Sequence, residues 1–253
     1  MRLMTYNLRV DAPEDGSWRW SDRAQTVLTD IQRNDPDILI VTEAEAAHLA
    51  ALTQLTAYAH VAVPRDDGHH RGEAVGLFWR ADRFHCVAEH HEWLSETPDR
   101  PSRYPGARYP RTLQQITLAT ATGSRWTVIG THLDHRSAAA RDFGARRLQT
   151  LARQLPGPLL IGGDFNAGPT SSAYRLMTTV LADAQVIAKT RHRPYPGTYR
   201  PTHQFTPTAG MVTARIDYLF VSRTLPVKRY AIDATLTSGR WGSDHWPVIA
   251  DIG

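Results

Sequence analysis

The 253-residue chain predicts an α/β fold in one domain, residues 1–253, on three observations. Strand-like and helix-like segments alternate at the start of the chain and again past residue 126, the interval between reads as sheet, and polar residues stand at the carboxyl ends of several apolar runs. A composition of 42% hydrophobic and 21% charged residues is that of a globular protein. No apolar run approaches the roughly 20 residues that cross a bilayer, so membrane insertion is not expected.

Residues 2–8 read as a first strand, because they lack the long apolar stretch and small-residue cleavage site of a secretory signal. Ser21 is placed as the N-cap of a helix in which Ala24, Val27, Leu28 and Ile31 share one face, ending near Asn34-Asp35-Pro36. Residues 37–41, Asp-Ile-Leu-Ile-Val, suit a strand buried on both faces, and a second helix is expected over 45–56. Apolar runs at 74–79, 84–88 and 112–118 carry no helical period and read as strands. A strand at 126–131, a helix rich in Ala, Leu and Arg at 138–155 and a strand at 158–163 entering a turn repeat the opening order loosely. Residues 99–110 and 191–211 read as long loops, a kind usually functional or disordered, and strands at 215–221, 228–236 and 246–252 complete the chain.

The formal net charge of +4 favours an anionic partner, and it concentrates at Arg100, Arg103, Arg108 and Arg111 and at Arg191, Arg193 and Arg200. A long basic helix or aromatic-basic stripe, the mark of a dedicated duplex-binding element, is lacking. The single cysteine, Cys86, cannot form an internal disulfide, so the fold does not depend on an oxidising compartment and a cytoplasmic location is expected. No obligate protein partner is evident.

Open α/β sheets place their sites beyond the carboxyl ends of the strands. Five such places carry groups that bind metals or move protons: Asn7; Glu43; His132 and Asp134 in Thr131-His132-Leu133-Asp134-His135; Asp164 and Asn166 in Gly163-Asp164-Phe165-Asn166; and Asp244-His245 in Ser243-Asp244-His245-Trp246-Pro247. Singly each has a structural explanation as a strand end, cap or turn; together they would need five coincidences. The blocks Thr-His-Leu-Asp-His, Gly-Asp-Phe-Asn and Ser-Asp-His-x-Pro-Val resemble the signatures of the endonuclease/exonuclease/phosphatase, or deoxyribonuclease-I-like, superfamily, in that family's order from Thr5-Tyr6-Asn7 to Val248. Residues 65–68, Gly72-Glu73 and 93–98 resemble a bacterial subgroup of unassigned substrate.

That resemblance implies a four-layer α/β sandwich, two mixed sheets face to face with helices outside, and a metal-dependent hydrolase of phosphate esters, either a phosphodiesterase or a phosphatase. It assigns the metal to Glu43, with Asn7 and Asp244 close by, and these hard oxygen donors suit Mg²⁺, with Mn²⁺ able to substitute. Asp134 is expected to add a ligand or orient a metal-bound water. Asp164 is expected to orient or deprotonate the attacking water, and Asn166 to hydrogen-bond the phosphate. The resemblance pairs His245 with Asp217 and His132 with Glu73, which would favour both imidazoliums, and Arg111 is expected on a phosphate oxygen. Where many relatives have Gln before the metal glutamate, this chain has Thr42.

Alternatives within the same chemistry are an endo- or exonuclease acting on DNA or RNA. Outside it stand a non-catalytic polyanion-binding module and a zinc hydrolase built on His69, His70 or His90. The cluster His85, Cys86, His90 and His91 matches no standard zinc spacing, and Trp18 and Trp20, which flank Arg19, are expected to pack rather than to stack on a ligand.

Overall fold

The computed structural model describes residues 1–201, 205–208 and 211–253. A seven-stranded sheet runs in the order β10 (Thr190–His192), β12 (Val227–Ile232), β13 (Val248–Ile252), β1 (Arg2–Asn7), β2 (Ile38–Ala44), β4 (Ala74–Arg80), β3 (Tyr58–Pro64). A six-stranded sheet follows the order β5 (Phe84–Trp93), β6 (Thr112–Thr120), β7 (Arg125–His132), β8 (Leu159–Asp164), β11 (Asp217–Val221), β9 (Ala182–Asp183). Both are mixed: β1 is parallel to β2 and antiparallel to β13, and β8 is parallel to β7 and antiparallel to β11.

Alternation along the strands builds the layers. In β2, Ile38 and Ile40 turn inward to the core that the two sheets share, where they meet Val75, Leu77, Ile116, Val128, Leu160 and Leu219. Leu39 and Val41 turn outward to Val27, Leu28 and Ile31 of helix α1 (Trp20–Asn34). On the other side, Ile129 and Ile161 meet Leu148 and Leu151 of helix α3 (Ala138–Gln154) and Met177 of helix α4 (Ser172–Thr178). The result is the four-layer sandwich expected, helix, sheet, sheet, helix.

Local departures from the sequence reading have local causes. Helix α1 begins at Trp20, because Asp11 caps it from a distance: its Oδ1 accepts the Trp20 N–H at 2.9 Å while Arg19 grips the same carboxylate at 2.6 and 2.5 Å. Ser21 is exposed and caps nothing. Helix α2 (Ala46–Leu52) stops short of residue 56, its end turned by Gln54 N–H to Ala51 O and Leu55 N–H to Leu52 O. Strand β5 continues past residue 88 to Trp93 because its whole length, one bulge aside, pairs with β6. Residues 99–110 carry no helix or strand, as expected; the segment 191–211 opens on β10, and its residues 202–204 and 209–210 lie outside the described residues. The sequence reading assigned no helix or strand between residues 165 and 190, where α4, β9 and α5 (Ala184–Ile187) lie. Among the described residues no helix is long and apolar enough to cross a membrane.

Strand β8 is pinched where it meets its neighbours. Gly163 has φ +137°, and a Cβ there would lie 1.9 Å from the backbone oxygen of Thr131 in β7. Only glycine lets the chain deliver the next residue, Asp164, to the end of the sheet at that spacing. Gly163→Ala is therefore expected to lose more than about 3 kcal/mol in urea-unfolding measurements. Gly168→Ala, where a Cβ meets nothing within 4 Å and φ is not positive, is expected to stay within about 0.5 kcal/mol of the parent.

Candidate active site

Strand register assembles the centre. Asp164 ends β8, His132 ends β7 and Asp217 begins β11; the pairings His132↔Asp164 and Asp217↔Asp164 set the three side chains in a row. Asn7, at the end of β1 in the facing sheet, reaches across: its Nδ2 donates to Asp164 Oδ2 at 3.0 Å and to Glu43 Oε1 at 2.9 Å. Asp164 Oδ1 accepts the Asn166 N–H at 2.7 Å, while His132 Nε2 and His245 Nε2 stand 3.6 and 3.9 Å from Oδ2. Glu43 adopts φ +57°, and its Oε2 accepts the Val10 N–H at 2.9 Å. This uncommon conformation beside a buried polar cluster is the kind of strain that functional sites hold.

The surroundings push the two histidines in opposite directions. Burial by itself would lower His245, but Asp217, whose Oδ2 lies 2.9 Å from Nδ1, together with Asp244 and Asp164, outweighs it and pushes His245 up to about 10. Asp217 is held in turn by Thr198, whose Oγ1 donates to the same oxygen at 2.6 Å. His132 is driven well below its ordinary value by burial and by the nearby charges of Arg111, Arg65 and His245. Its Nε2 accepts from Asn166 Nδ2 at 3.1 Å, as a neutral ring does. The expected pairing with Glu73 is present only as a 3.8 Å approach to Nδ1, because Arg65 holds the same Glu73 oxygen at 2.6 Å. Of the two expected pairings, the structure brings His245 within hydrogen-bond reach of Asp217 and leaves His132 3.8 Å from Glu73.

Asp164 is raised by burial first and by Asp217 next, with His245 pulling the other way. Glu73 is raised by burial and by Glu43, against the pull of Arg65 and Arg111. Both carboxylates therefore stand closer to neutral pH than a surface acid, the range in which a general base works best.

Asp134 does not join the cluster. Its Oδ1 accepts the N–H groups of Arg136 and Ser137 at 2.9 and 2.6 Å, and its Oδ2 that of Arg108 at 2.9 Å. Burial works against these bonds, which nevertheless hold its carboxyl below the usual range. It ties the 99–110 loop to the end of β7, and its geometry does not carry the metal-ligand role expected of it. Asn166 has both amide hydrogens committed, to His132 and, at 3.0 Å, to Leu133 O, so a phosphate contact requires one bond to be exchanged. Asp244 is buried beside Ser243, whose Oγ donates to its Oδ1 at 3.3 Å, and Arg111 is buried with Nη2 3.1 Å from His135 Nδ1.

Several residues here escaped the sequence reading. Arg9, with φ +59°, pairs with Asp15 at 3.1 Å and feels the charges of Asp244 and Glu43. The Tyr199 ring lies 4.5 Å from that of His245, and burial, then Asp244, pushes its hydroxyl up to about 12. The available signal was the length of the loop that carries Tyr199, which marked the segment but no residue in it. Trp20 packs on His48 and Trp18 stacks on Phe205, as expected of packing residues, and His90 lies on the surface 3.2 Å from Glu92.

Among the described residues two sets of possible metal ligands have their donor atoms within 4.8 Å of one another: Glu43, His132 and Asp164, and Asp164, Asp217 and His245. The hydrogen bond from His245 to Asp217 accounts for the second set. In the first, the Asn7 amide bridges Glu43 and Asp164 with partial positive charge, at the place where a buried and a partly buried carboxylate call for a cation.

The sequence profile described as the Endonuclease/Exonuclease/phosphatase family matches residues 4–245. The crystal structure of an endonuclease/exonuclease/phosphatase family protein from Bacteroides thetaiotaomicron superposes with a TM-score of 0.91 at 30% identity, over 100% of this chain and 97% of that one. A mannosyl-6-phosphatase of the same organism gives 0.90 at 30% identity, over 100% and 99%. Human Nocturnin is 22% identical over 285 residues, an alignment that spans 99% of this chain and 64% of Nocturnin.

Replacing Asp217 by Asn keeps the shape and removes the charge that sustains His245. In an NMR titration the imidazole is expected to stay protonated to about pH 10 in the parent and to titrate at a markedly lower pH in Asp217→Asn, where only Asp244 and Asp164 still oppose burial. Because the folded value lies above the unfolded one, the stability from this pair is complete below pH 6.5 and lost as pH rises toward 10; the variant lacks that slope.

Proposed function

Because the chain belongs to the endonuclease/exonuclease/phosphatase family, whose members hydrolyse phosphate esters, we propose that it cleaves a phosphate ester with water at the Asp164 cluster, aided by a divalent cation. The observation that carries this reading is the meeting of Asp164 Oδ2 with Asn7, His132 and His245 across two sheets.

The donor set fits Mg²⁺, or Mn²⁺ in its place: Glu43 and Asp244 offer carboxylate oxygens and Asn7 an amide at their side. Such an ion would be held chiefly by Glu43 and would supply positive charge to the phosphoryl oxygens, whose own charge repels a nucleophile. Asp164 takes the proton of the attacking water as the water oxygen bonds to phosphorus and the ester P–O bond breaks. His245, kept charged by Asp217, gives its Nε2 proton to the departing oxygen. Asn166 exchanges a bond for the phosphate, and His132, Glu73 and Arg111 lie alongside.

A nuclease is the second reading. It is favoured by the exposed Arg100, Arg103 and Arg108, which lie on the loop that Asp134 fastens beside the site.

Turnover of p-nitrophenyl phosphate, bis(p-nitrophenyl) phosphate and supercoiled plasmid should separate these readings. Activity is expected to vanish with EDTA, to return with Mg²⁺ and to fall about 10²- to 10⁴-fold in Asp164→Asn. Nicking of plasmid lost in the same variant would support the nuclease. Turnover that survives both EDTA and Asp164→Asn would overturn the mechanism.

A further inference from the structure

Beside His132 lies a small cavity of about 10 Å³, lined by Arg65, Glu73, Ala74, Val75, Pro110, Arg111, Thr112 and His132. That is room for a single water-sized atom. Arg65 and Arg111 are 7% and 6% exposed, yet Arg65 Nε and Arg111 Nε and Nη1 have no hydrogen-bond partner among the described residues. The nearest carboxylate oxygens to these three nitrogens are out of bonding reach, Asp66 at 3.6 Å and Glu73 and Asp134 at 3.9 Å. A buried donor left without an acceptor is costly, and three on two neighbouring guanidiniums need an explanation.

The surroundings hold both guanidiniums still. Arg65 Nη1 donates to Glu73 at 2.6 Å, its plane is covered by the Tyr109 ring at 4.4 Å, and its carbonyl accepts the Trp93 Nε1–H at 2.7 Å. Arg111 is fixed through His135. Of the three carboxylates that approach these guanidiniums, Glu73, Asp66 and Asp134, only Glu73 lines the cavity. Ala74, Val75 and Pro110 leave no space for a carbon substituent.

We propose that Arg65 and Arg111 form a buried cradle for one unesterified phosphoryl oxygen, and that this cradle selects phosphomonoesters. The inference rests on the hydrolase reading above. If a cation at Glu43 and the Asn166 amide each took one phosphoryl oxygen, the arginine cavity would be a third holder. A phosphomonoester has three unesterified oxygens and fills all three; a phosphodiester has two and must leave one holder empty or press an ester carbon against the cavity wall. Arg65 thereby becomes a specificity-determining residue that contacts substrate.

The test compares kcat/KM for p-nitrophenyl phosphate and bis(p-nitrophenyl) phosphate, which share a leaving group, in the parent and in Arg65→Gln with Mg²⁺. The parent is expected to prefer the monoester, and the variant to lose about 10- to 100-fold on the monoester, the scale of a charge-assisted hydrogen bond, with less than about 3-fold on the diester. An equal loss on both substrates would mean that Arg65 only positions Glu73, and it would overturn the proposal, as would a parent that prefers the diester; either leaves the hydrolase reading intact. Titration calorimetry on the parent with Mg²⁺ needs no variant: inorganic phosphate is expected to bind at least 10-fold more tightly than dimethyl phosphate, and equal binding would overturn the cradle. Absence of turnover on every ester would instead sink the reading on which the proposal rests.

Discussion

Burying carboxylates together is the constraint on which the rest of this structure depends. Asp164, Asp217 and Asp244 are buried, and Glu43 closes on Asp164 through the Asn7 amide. Each such charge costs several kcal/mol unless it is paired or hydrogen-bonded, so every neighbouring group answers to that demand. Thr198 and His245 share the load on Asp217, the Asn166 N–H and Asn7 amide take up Asp164, and the Val10 N–H takes up Glu43. What remains is negative charge facing the open end of two sheets, which suits a divalent cation and, through it, a phosphate.

The fold serves this arrangement by bringing strand ends together. Neither sheet holds the cluster alone: Asn7 and Glu43 come from one, His132, Asp164 and Asp217 from the other. The shared core of Ile40, Val75, Leu77, Leu160 and Leu219 sets how closely those ends approach, and Gly163 sets where Asp164 emerges. Beside the cluster a second electrostatic regime begins, in which Arg65 and Arg111 confront Glu73 and depress His132. One end of the site is built for a cation and the other for an anion.

Much of this was legible in the sequence, for a physical reason. An apolar run such as residues 37–41 suits a strand buried on both faces, and a polar residue just past such a run must face a site or find a partner. That logic reached Asn7, Glu43, His132, Asp164 and His245 without coordinates. It failed where a residue's role depends on a partner distant in sequence. Asp134 looked like one more acid at a strand end, yet the turn after it supplies two of its three backbone donors and Arg108 the third. Arg65 sits in a run, Arg-Asp-Asp-Gly, for which the sequence offered no role beyond a subgroup resemblance; it is buried with Tyr109, from the long loop, lying over it. The helix cap supplied by Asp11 and the contact of Tyr199 with His245 are of the same kind.

The most direct test of the central claim is the anomalous scattering of a crystal soaked in Mn²⁺. The account requires the principal peak within bonding distance of the Glu43 carboxylate, on the side of Asn7 and Asp244. A peak between Asp217 and His245, or none at Glu43, would contradict it.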